Sequence, residues 1–335
     1  MRRDPDGLRV VILGLGGVGR LVARLLVDCD WVQIAGVVDI APDLVDKDLG
    51  ALLDRSQPLE VRVTSDADAL LDRVSPDIVV AATTSGSLHT IYPEIIGALE
   101  RGIDVVTPCM DVSNPFLYDE AVSARIEKAC LDNGATFFGI GSTQLVVRSL
   151  LAVAETCRQI RKIRCFVHAD VSKFPLASKQ QEFGILLTAT EYEEAVASGR
   201  IKGRQALRKE ALLLARSLGL AYDGEASRYE PIIESERVVG VDHIFSVTRG
   251  EQVIVDYVYR FIEDSEHRYF HEYEIESIPE VKAHVDFSID RGIEGTAVPI
   301  VKCLPVVAAA PPGILSMLDL PPGLNGNAGV SETSL

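Results

Sequence analysis

The sequence predicts an α/β protein: an N-terminal doubly wound parallel sheet followed by a second α+β domain with a mixed or antiparallel sheet. Three observations carry this. Up to about residue 140, short apolar runs alternate with segments of helical period, the pattern of βαβ units. The period then changes, and over 241–287 it becomes the polar and apolar alternation of half-buried strands. The chain of 335 residues also exceeds the size at which one hydrophobic core stops growing, so two domains are expected.

Each element follows from a local pattern. Residues 8–13 (LRVVIL) form a buried strand, and 18–27 carry apolar side chains at helical spacing. Strands are expected at 33–38, 59–63 and 77–82, with a short helix over 66–71 between the last two. A helix over 92–99 ends before Gly102, and 104–107 is the next strand. An amphipathic helix over 120–131 stops at Asn133-Gly134, and 136–138 is the sixth strand. After it come a helix over 146–157 and a strand over 163–168. A capping box of Thr190 and Glu193 opens the next helix, which ends near Gly199, and another runs over 205–218 to Gly219. Arg249-Gly250 turns the chain between two strands, and 296–310 is an apolar helix followed by Pro311-Pro312-Gly313.

The strongest chemical signal is Gly14-Leu15-Gly16-Gly17-Val18-Gly19, a G-x-G-x-x-G set between a strand and a helix. Gly14 allows a tight turn, Gly16 lets the backbone approach a pyrophosphate, and Gly19 lets the helix lie close on its strand. The helix N-terminus adds free N–H groups and a positive dipole end. Asp39 ends the second strand about twenty residues on, where a carboxylate accepts hydrogen bonds from ribose hydroxyls. This is a Rossmann-type dinucleotide site. Asp39 repels a 2′-phosphate and Ile40 follows it in place of a neutralising arginine, so NAD is expected over NADP. Arg20 and Lys47 keep NADP open.

The other strand ends meet the cofactor or substrate in this architecture. Thr83, Thr84 and Ser85 follow the fourth strand and Thr107 ends the fifth; all four are read as cofactor contacts, with a plain polar connection as the alternative for the first three. Asp111 lies just beyond, as a proton donor or acceptor for a reacting nitrogen or oxygen, or else as a turn cap. His168, Asp170, Ser172 and Lys173 belong to a loop that either faces the cleft or is solvated. His267 and His271 have i,i+4 spacing, but no third ligand argues for zinc, so no metal is expected and a charged outer sheet face is preferred.

Three segments, GLGGVGRLVARLL, IYPEIIGALERGIDVVTPCMDVSNPF and LPVVAAAPPGILSMLDLP, resemble the dihydrodipicolinate-reductase-like family that contains 2,4-diaminopentanoate dehydrogenase and the native amine dehydrogenases. EPIIESERVVGVDHIF is similar to that family's second domain. The resemblance implies a Rossmann domain, a substrate domain that dimerises through its sheet, and a last helix that returns to the first domain. The expected division is therefore 1–142 completed by 295–320, 143–294 as substrate and dimerisation domain, and a loose tail over 321–335. It also implies hydride transfer between a nicotinamide and an amine, with ketone and ammonia on the other side. On that basis Asp111 and His243 are candidate catalytic residues, His243 being either a substrate partner or structural, and Met110, Thr143, Gln144 and His168 line the substrate site. The chain departs from the family where two adjacent glutamates become Met110-Asp111, and where an Asn-Pro pair becomes Thr143-Gln144. Reduction of a preformed imine without free ammonia, and NAD binding without turnover, are the two alternatives.

Composition narrows the partners. With 49 acidic and 33 basic residues the formal charge is −16, a field that repels nucleic acid and anionic lipid. No uncharged apolar stretch reaches the ~20 residues of a spanning helix. The six cysteines include no C-x-x-C pair, and Asp4 and Asp6 interrupt any signal-peptide pattern, so a cytoplasmic location with reduced thiols is expected.

Overall fold

The computed structural model describes residues 7–83, 88–109, 111, 119–172, 174, 176–201, 205–287 and 294–321, with backbone alone at 143, 144, 178, 205 and 206. The chain divides into two units, one of Met1–Gln144 with Asp290–Leu335 and one of Leu145–Ile289.

In the first unit, β1 (Leu8–Leu13), β2 (Val32–Val38), β3 (Val63–Thr64), β4 (Ile78–Ala81), β5 (Asp104–Thr107), β6 (Thr136–Gly139) and β13 (Gly313–Leu315) form one sheet, ordered β13-β6-β5-β4-β1-β2-β3. Every pairing is parallel. The chain runs outward from β1 to β3 and then returns to the other side of β1 at β4. The order thus reverses between β1 and β4, the crevice in which open α/β sheets take ligands.

Burial along β1 accounts for the two layers of helices. Leu8, Val10 and Ile12 join a core with α1 (Gly17–Val27) and α10 (Glu294–Ala309). Val11 and Leu13 join the opposite core with α3 (Ala67–Val74), α4 (Leu88–Leu99) and α5 (Glu120–Asn133). Each fully buried Leu or Ile contributes roughly 2 kcal/mol, so a strand apolar on both faces is stable only between such layers. Gly134 closes α5 in the left-handed conformation at φ 71°, as its position after Asn133 predicts.

Three features depart from the sequence expectation. The third strand shrinks to two residues, with only an isolated Asp48–Arg62 bridge before it. A helix, α2 (Leu49–Leu52), precedes it, started by the Asp48 side chain accepting from Gly50 N at 2.8 Å. The chain after the C-terminal helix adds β13 to the edge of the sheet, where Glu127 accepts from Ile314 N at 2.7 Å. Three residues between prolines carry no periodic signal.

The second unit holds α6 (Ser142–Ala154) from Leu145 onward, β7 (Arg158–Asp170), α7 (Leu176–Phe183), α8 (Ala189–Ala197), α9 (Gln205–Ser217), β8 (Gly224–Glu234), β9 (Arg237–Arg249), β10 (Gln252–Ile262), β11 (Tyr269–Ile278) and β12 (Val281–Asp286). Its sheet is ordered β12-β11-β7-β10-β9-β8 and is mixed, since β7 and β10 run parallel and the other neighbours antiparallel. One face buries Tyr269, His271, Tyr273 and Ile275 of β11, while Glu272, Glu274 and Glu276 stand on the other. The β8–β9 hairpin was not foreseen. Its two-residue turn is Ser235-Glu236 at φ 47° and 64°, a left-handed turn built without the Asn or Gly that signals one. The capping box of α8 is Thr188 with Glu191, two residues before the expected Thr190 and Glu193. Both pairs fit the spacing, and backbone bonds from Leu186 and Leu187 to Val238 pin the chain just ahead of the earlier one.

Candidate active site

The glycine turn is demanded by the protein's own packing at two positions and left open at the third. Gly14 adopts φ 89°, and a Cβ there would stand 2.8 Å from the Ala82 carbonyl oxygen and 3.0 Å from Thr83 Cα. A Cβ on Gly19 would lie 1.9 Å from the Gly14 carbonyl oxygen. At Gly16, the N-cap of α1, nothing lies within 4 Å of that position. Gly16 and Gly17 are exposed and Val18 is half-buried. Space beside uncapped helix amides at a positive dipole end fits a dinucleotide pyrophosphate. The net charge of −16 does not count these groups.

Asp39, expected to hold ribose hydroxyls, also holds the turn. Its Oδ2 accepts from Leu15 N at 2.6 Å and its Oδ1 from Ala41 N at 2.8 Å. Each carboxylate oxygen keeps a second lone pair for a ribose hydroxyl. The adjacent Ile40 is 82% exposed, an apolar side chain at the nucleotide edge.

The ends of β4 and β5 divide the remaining candidates. Thr107 is fully buried: its hydroxyl donates to Ala81 O at 2.8 Å and accepts from Cys109 N at 3.2 Å. It ties β5 to β4. Thr83 is exposed and donates to Glu94 Oε2 on α4 at 2.7 Å. Burial pushes the Glu94 carboxyl up, against the opposing effect of that hydrogen bond. Sequence reasoning missed Glu94, since one acid inside a helix carries no spacing signal. Asp111 is 7% exposed, and its Oδ2 accepts from Leu88 N, the first residue of α4, at 3.2 Å. Both of its expected roles remain compatible with that position, because the bond fixes a carboxylate at the carboxyl edge of the sheet. Thr84, Ser85, Met110 and the side chains of Thr143 and Gln144 lie outside the described residues.

In the second unit the histidines are mostly structural. His243 is fully buried, with ring centroids 5.0 Å from Tyr229, 5.1 Å from Phe261 and 6.0 Å from Phe183. Aromatic side chains therefore surround it on several sides. His271 is also fully buried, against the expected outer face, and bonds both Tyr269 and Tyr273 hydroxyls through its two ring nitrogens. Burial pushes its pKa down to about 3, so the ring is neutral. Tyr273 carries the chain of bonds on to Ser149 Oγ of α6 at 2.6 Å.

His168 is 6% exposed, stacks on Phe270 at 4.8 Å and donates from Nε2 to Asp264 Oδ2 at 3.0 Å. Burial lowers its pKa more than Asp264 raises it. The bond therefore runs from a neutral imidazole to an ionised carboxylate, and Arg268, 2.8 Å from Asp264, is the cation that meets the charge. Burial opposes ionisation of Asp264, but bonds from Arg268, Glu266 N and His168 outweigh it and hold the carboxyl at about 2. Asp170 closes the same sheet end, accepting from Asp264 N, Ser172 and His267. The expected loop of His168, Asp170 and Ser172 is thus bonded into one network, with Asp264 and Arg268 as members that sequence reading missed.

A parallel sheet with a glycine turn, open space at Gly16 and an acid at the end of β2 defines a nicotinamide-nucleotide dehydrogenase. Residues 14–138 match the family model described as the NAD-binding domain of homoserine dehydrogenase. Residues 145–329 match the 2,4-diaminopentanoate dehydrogenase C-terminal domain, and the chain belongs to that family. It is 22% identical over 356 aligned positions to 2,4-diaminopentanoate dehydrogenase of Acetoanaerobium sticklandii, with 94% of both chains covered. A shorter stretch of 129 positions is 30% identical to 4-hydroxy-tetrahydrodipicolinate reductase of Nostoc punctiforme, covering 36% of this chain and 46% of the other. Among solved structures, the amine dehydrogenase from Mycobacterium smegmatis has the same fold, with TM-score 0.81, 24% identity and coverage of 96% and 98%. The protein is an NAD-binding oxidoreductase. Among the described residues, no helix is long and apolar enough to cross a membrane.

Proposed function

We propose that the protein interconverts an amine with a ketone and ammonia, using NAD. The observation that carries this reading is the Asp111 carboxylate, held by the α4 N-terminus on the sheet edge that also bears the glycine turn. The names of the relatives, an amine and a diaminopentanoate dehydrogenase, support the C–N bond as the target. The backbone of 14–19 and Asp39 would hold the dinucleotide, with Ile40 and Thr83 at its flanks. When bound, the nicotinamide supplies the acceptor or donor of a hydride.

Asp111 handles protons. In deamination the amine's C–H bond breaks with its electron pair, leaving an iminium. Water adds to that carbon as Asp111 accepts its proton. The proton then passes from Asp111 to the departing nitrogen, ammonia leaves, and the remaining hydroxyl proton goes to solvent as the ketone forms. Asp111→Asn keeps an oxygen for Leu88 N but cannot take a proton. It is expected to lower kcat/KM for amine oxidation by about 10²-fold or more while the Kd for NADH holds. An unchanged kcat/KM removes Asp111 from the mechanism.

A second reading is reduction of a preformed imine, favoured by Met110-Asp111 standing where the resembled family has two glutamates. The same proposal takes the protein as a cytoplasmic homodimer that prefers NAD to NADP. The six-stranded sheet supports the dimer, since one of its faces presents Phe166, Arg260, Glu272 and Glu274 around a shallow cavity of about 300 Å³. Sedimentation at micromolar concentration checks it.

A further inference from the structure

Thr83 and Glu94 sit outside the motif yet at the reversal of strand order. The backbone of Ala82 and Thr83 lies against the first glycine of the turn, so close that a Cβ on Gly14 would stand 3.0 Å from Thr83 Cα. Ala82 N still donates to Leu13 O at 2.7 Å, so this segment is fixed to β1 and not a loose connection. Of the candidate polar side chains described at the ends of β4 and β5, Thr107 is fully buried and Asp111 nearly so, while Thr83 is exposed. Among those described residues, its hydroxyl is the one that a dinucleotide in the β1/β4 crevice can meet.

A threonine hydroxyl has one proton to give and two lone pairs to offer. Here the proton is committed: Thr83 Oγ1 donates to Glu94 Oε2 at 2.7 Å. We infer that Glu94 is a positioning residue that fixes the Thr83 hydroxyl as a hydrogen-bond acceptor, so that it receives a ribose hydroxyl of the dinucleotide. A ribose hydroxyl has a proton to donate, and a Thr83 locked as acceptor has a lone pair turned to receive it. A half-buried carboxylate two turns into α4 is costly unless it is bonded, and Thr83 is the bond that the structure gives it. Asp39 meets the dinucleotide at the β2 end through its own carboxylate. Glu94 acts at the β4 end, through a neutral side chain.

The inference rests on the NAD site and makes its own predictions about binding. Calorimetric titration of NADH and NADPH into the full chain at pH 7.5 reads them without any turnover. Thr83→Val should raise the Kd for NADH about tenfold, the loss of one hydrogen bond to a well-fixed acceptor. Glu94→Gln should raise it by a similar factor for NADH and NADPH alike, because an amide lets Thr83 turn its proton outward. Thr83→Val with Glu94→Gln should be no worse than the weaker single variant, because Glu94 acts through Thr83. Thr83→Ser, which keeps the hydroxyl, should bind within about twofold of the parent and so separates hydroxyl chemistry from folding. The inference is overturned if Glu94→Gln leaves both Kd values unchanged, or if the two substitutions add. Failure of the parent itself to bind NADH would instead overturn the cofactor site.

Discussion

The two units of this chain solve the same problem, presenting polar groups at the end of a sheet, with different materials. In the first unit the nucleotide edge is made chiefly of backbone: helix amides, a turn at Gly14, and a carboxylate that spends two hydrogen bonds holding that turn. In the second unit the corresponding end is made of side chains, with His168, Asp264, Arg268, Asp170, Ser172 and His267 bonded to one another. The first arrangement leaves room at Gly16 for something else; the second satisfies itself. A site made of backbone is open by construction, whereas a polar cluster whose members pair internally acts first as a clasp.

Substitutions can break this contrast, and the largest effect is expected at Gly19. A Cβ 1.9 Å from the Gly14 carbonyl oxygen cannot be relieved by a side-chain rotation, because both atoms belong to the turn. Gly19→Ala should cost more than about 3 kcal/mol in denaturant unfolding and abolish NADH binding together. A loss of binding with normal stability would mean that the turn can move.

The second unit should respond to acid. His271 has a folded pKa of about 3 against an ordinary 6.5, so its contribution is present above pH 6.5 and is lost as the pH falls toward 3. At pH 5 that loss is about 2 kcal/mol, and it should disappear in His271→Gln, read as a flattened slope of Tm against pH between 6.5 and 4. Asp264 is held at about 2, so it stabilises above its ordinary value of 3.8 and stops doing so as the pH falls toward 2. Arg268→Met should lower Tm only slightly, less than loss of a fully buried pair, because the arginine is half exposed and solvent screens its charge. A larger cost would make this clasp more central to the unit than its bonds suggest.

The smallest stability effect and the sharpest functional one should coincide at Gly16. Its φ of −66° suits any residue and its Cβ direction is open, so Gly16→Ala should fold within about 0.5 kcal/mol of the parent. Its Kd for NADH should nevertheless rise about tenfold or more, since the methyl takes the space of the pyrophosphate. Unchanged affinity would reduce the motif to a structural turn.

The same contrast explains what the sequence could tell. The glycine turn, Asp39 and the strand and helix ends near them are encoded within a few residues of each other, and local spacing is enough to read them. The surroundings of Thr107, His243 and His271 were not legible because they depend on partners far along the chain: Ala81 for the first, Phe183 for the second and Ser149, through Tyr273, for the third. Asp264 meets His168 only because β7 and β10 run parallel in one register. Glu94 meets Thr83 only because α4 folds back beside the end of its own strand. The β8–β9 hairpin escaped for a local reason, a left-handed turn made by Ser235 and Glu236.

The central claim, chemistry on a C–N bond at a backbone-built NAD site, is tested most directly by the ammonium dependence of NADH oxidation across a panel of ketones. The rate should be negligible without ammonium and should saturate as ammonium rises. Turnover of preformed cyclic imines that ignores ammonium, or NADH binding with no hydride transfer to any member of the panel, would contradict it.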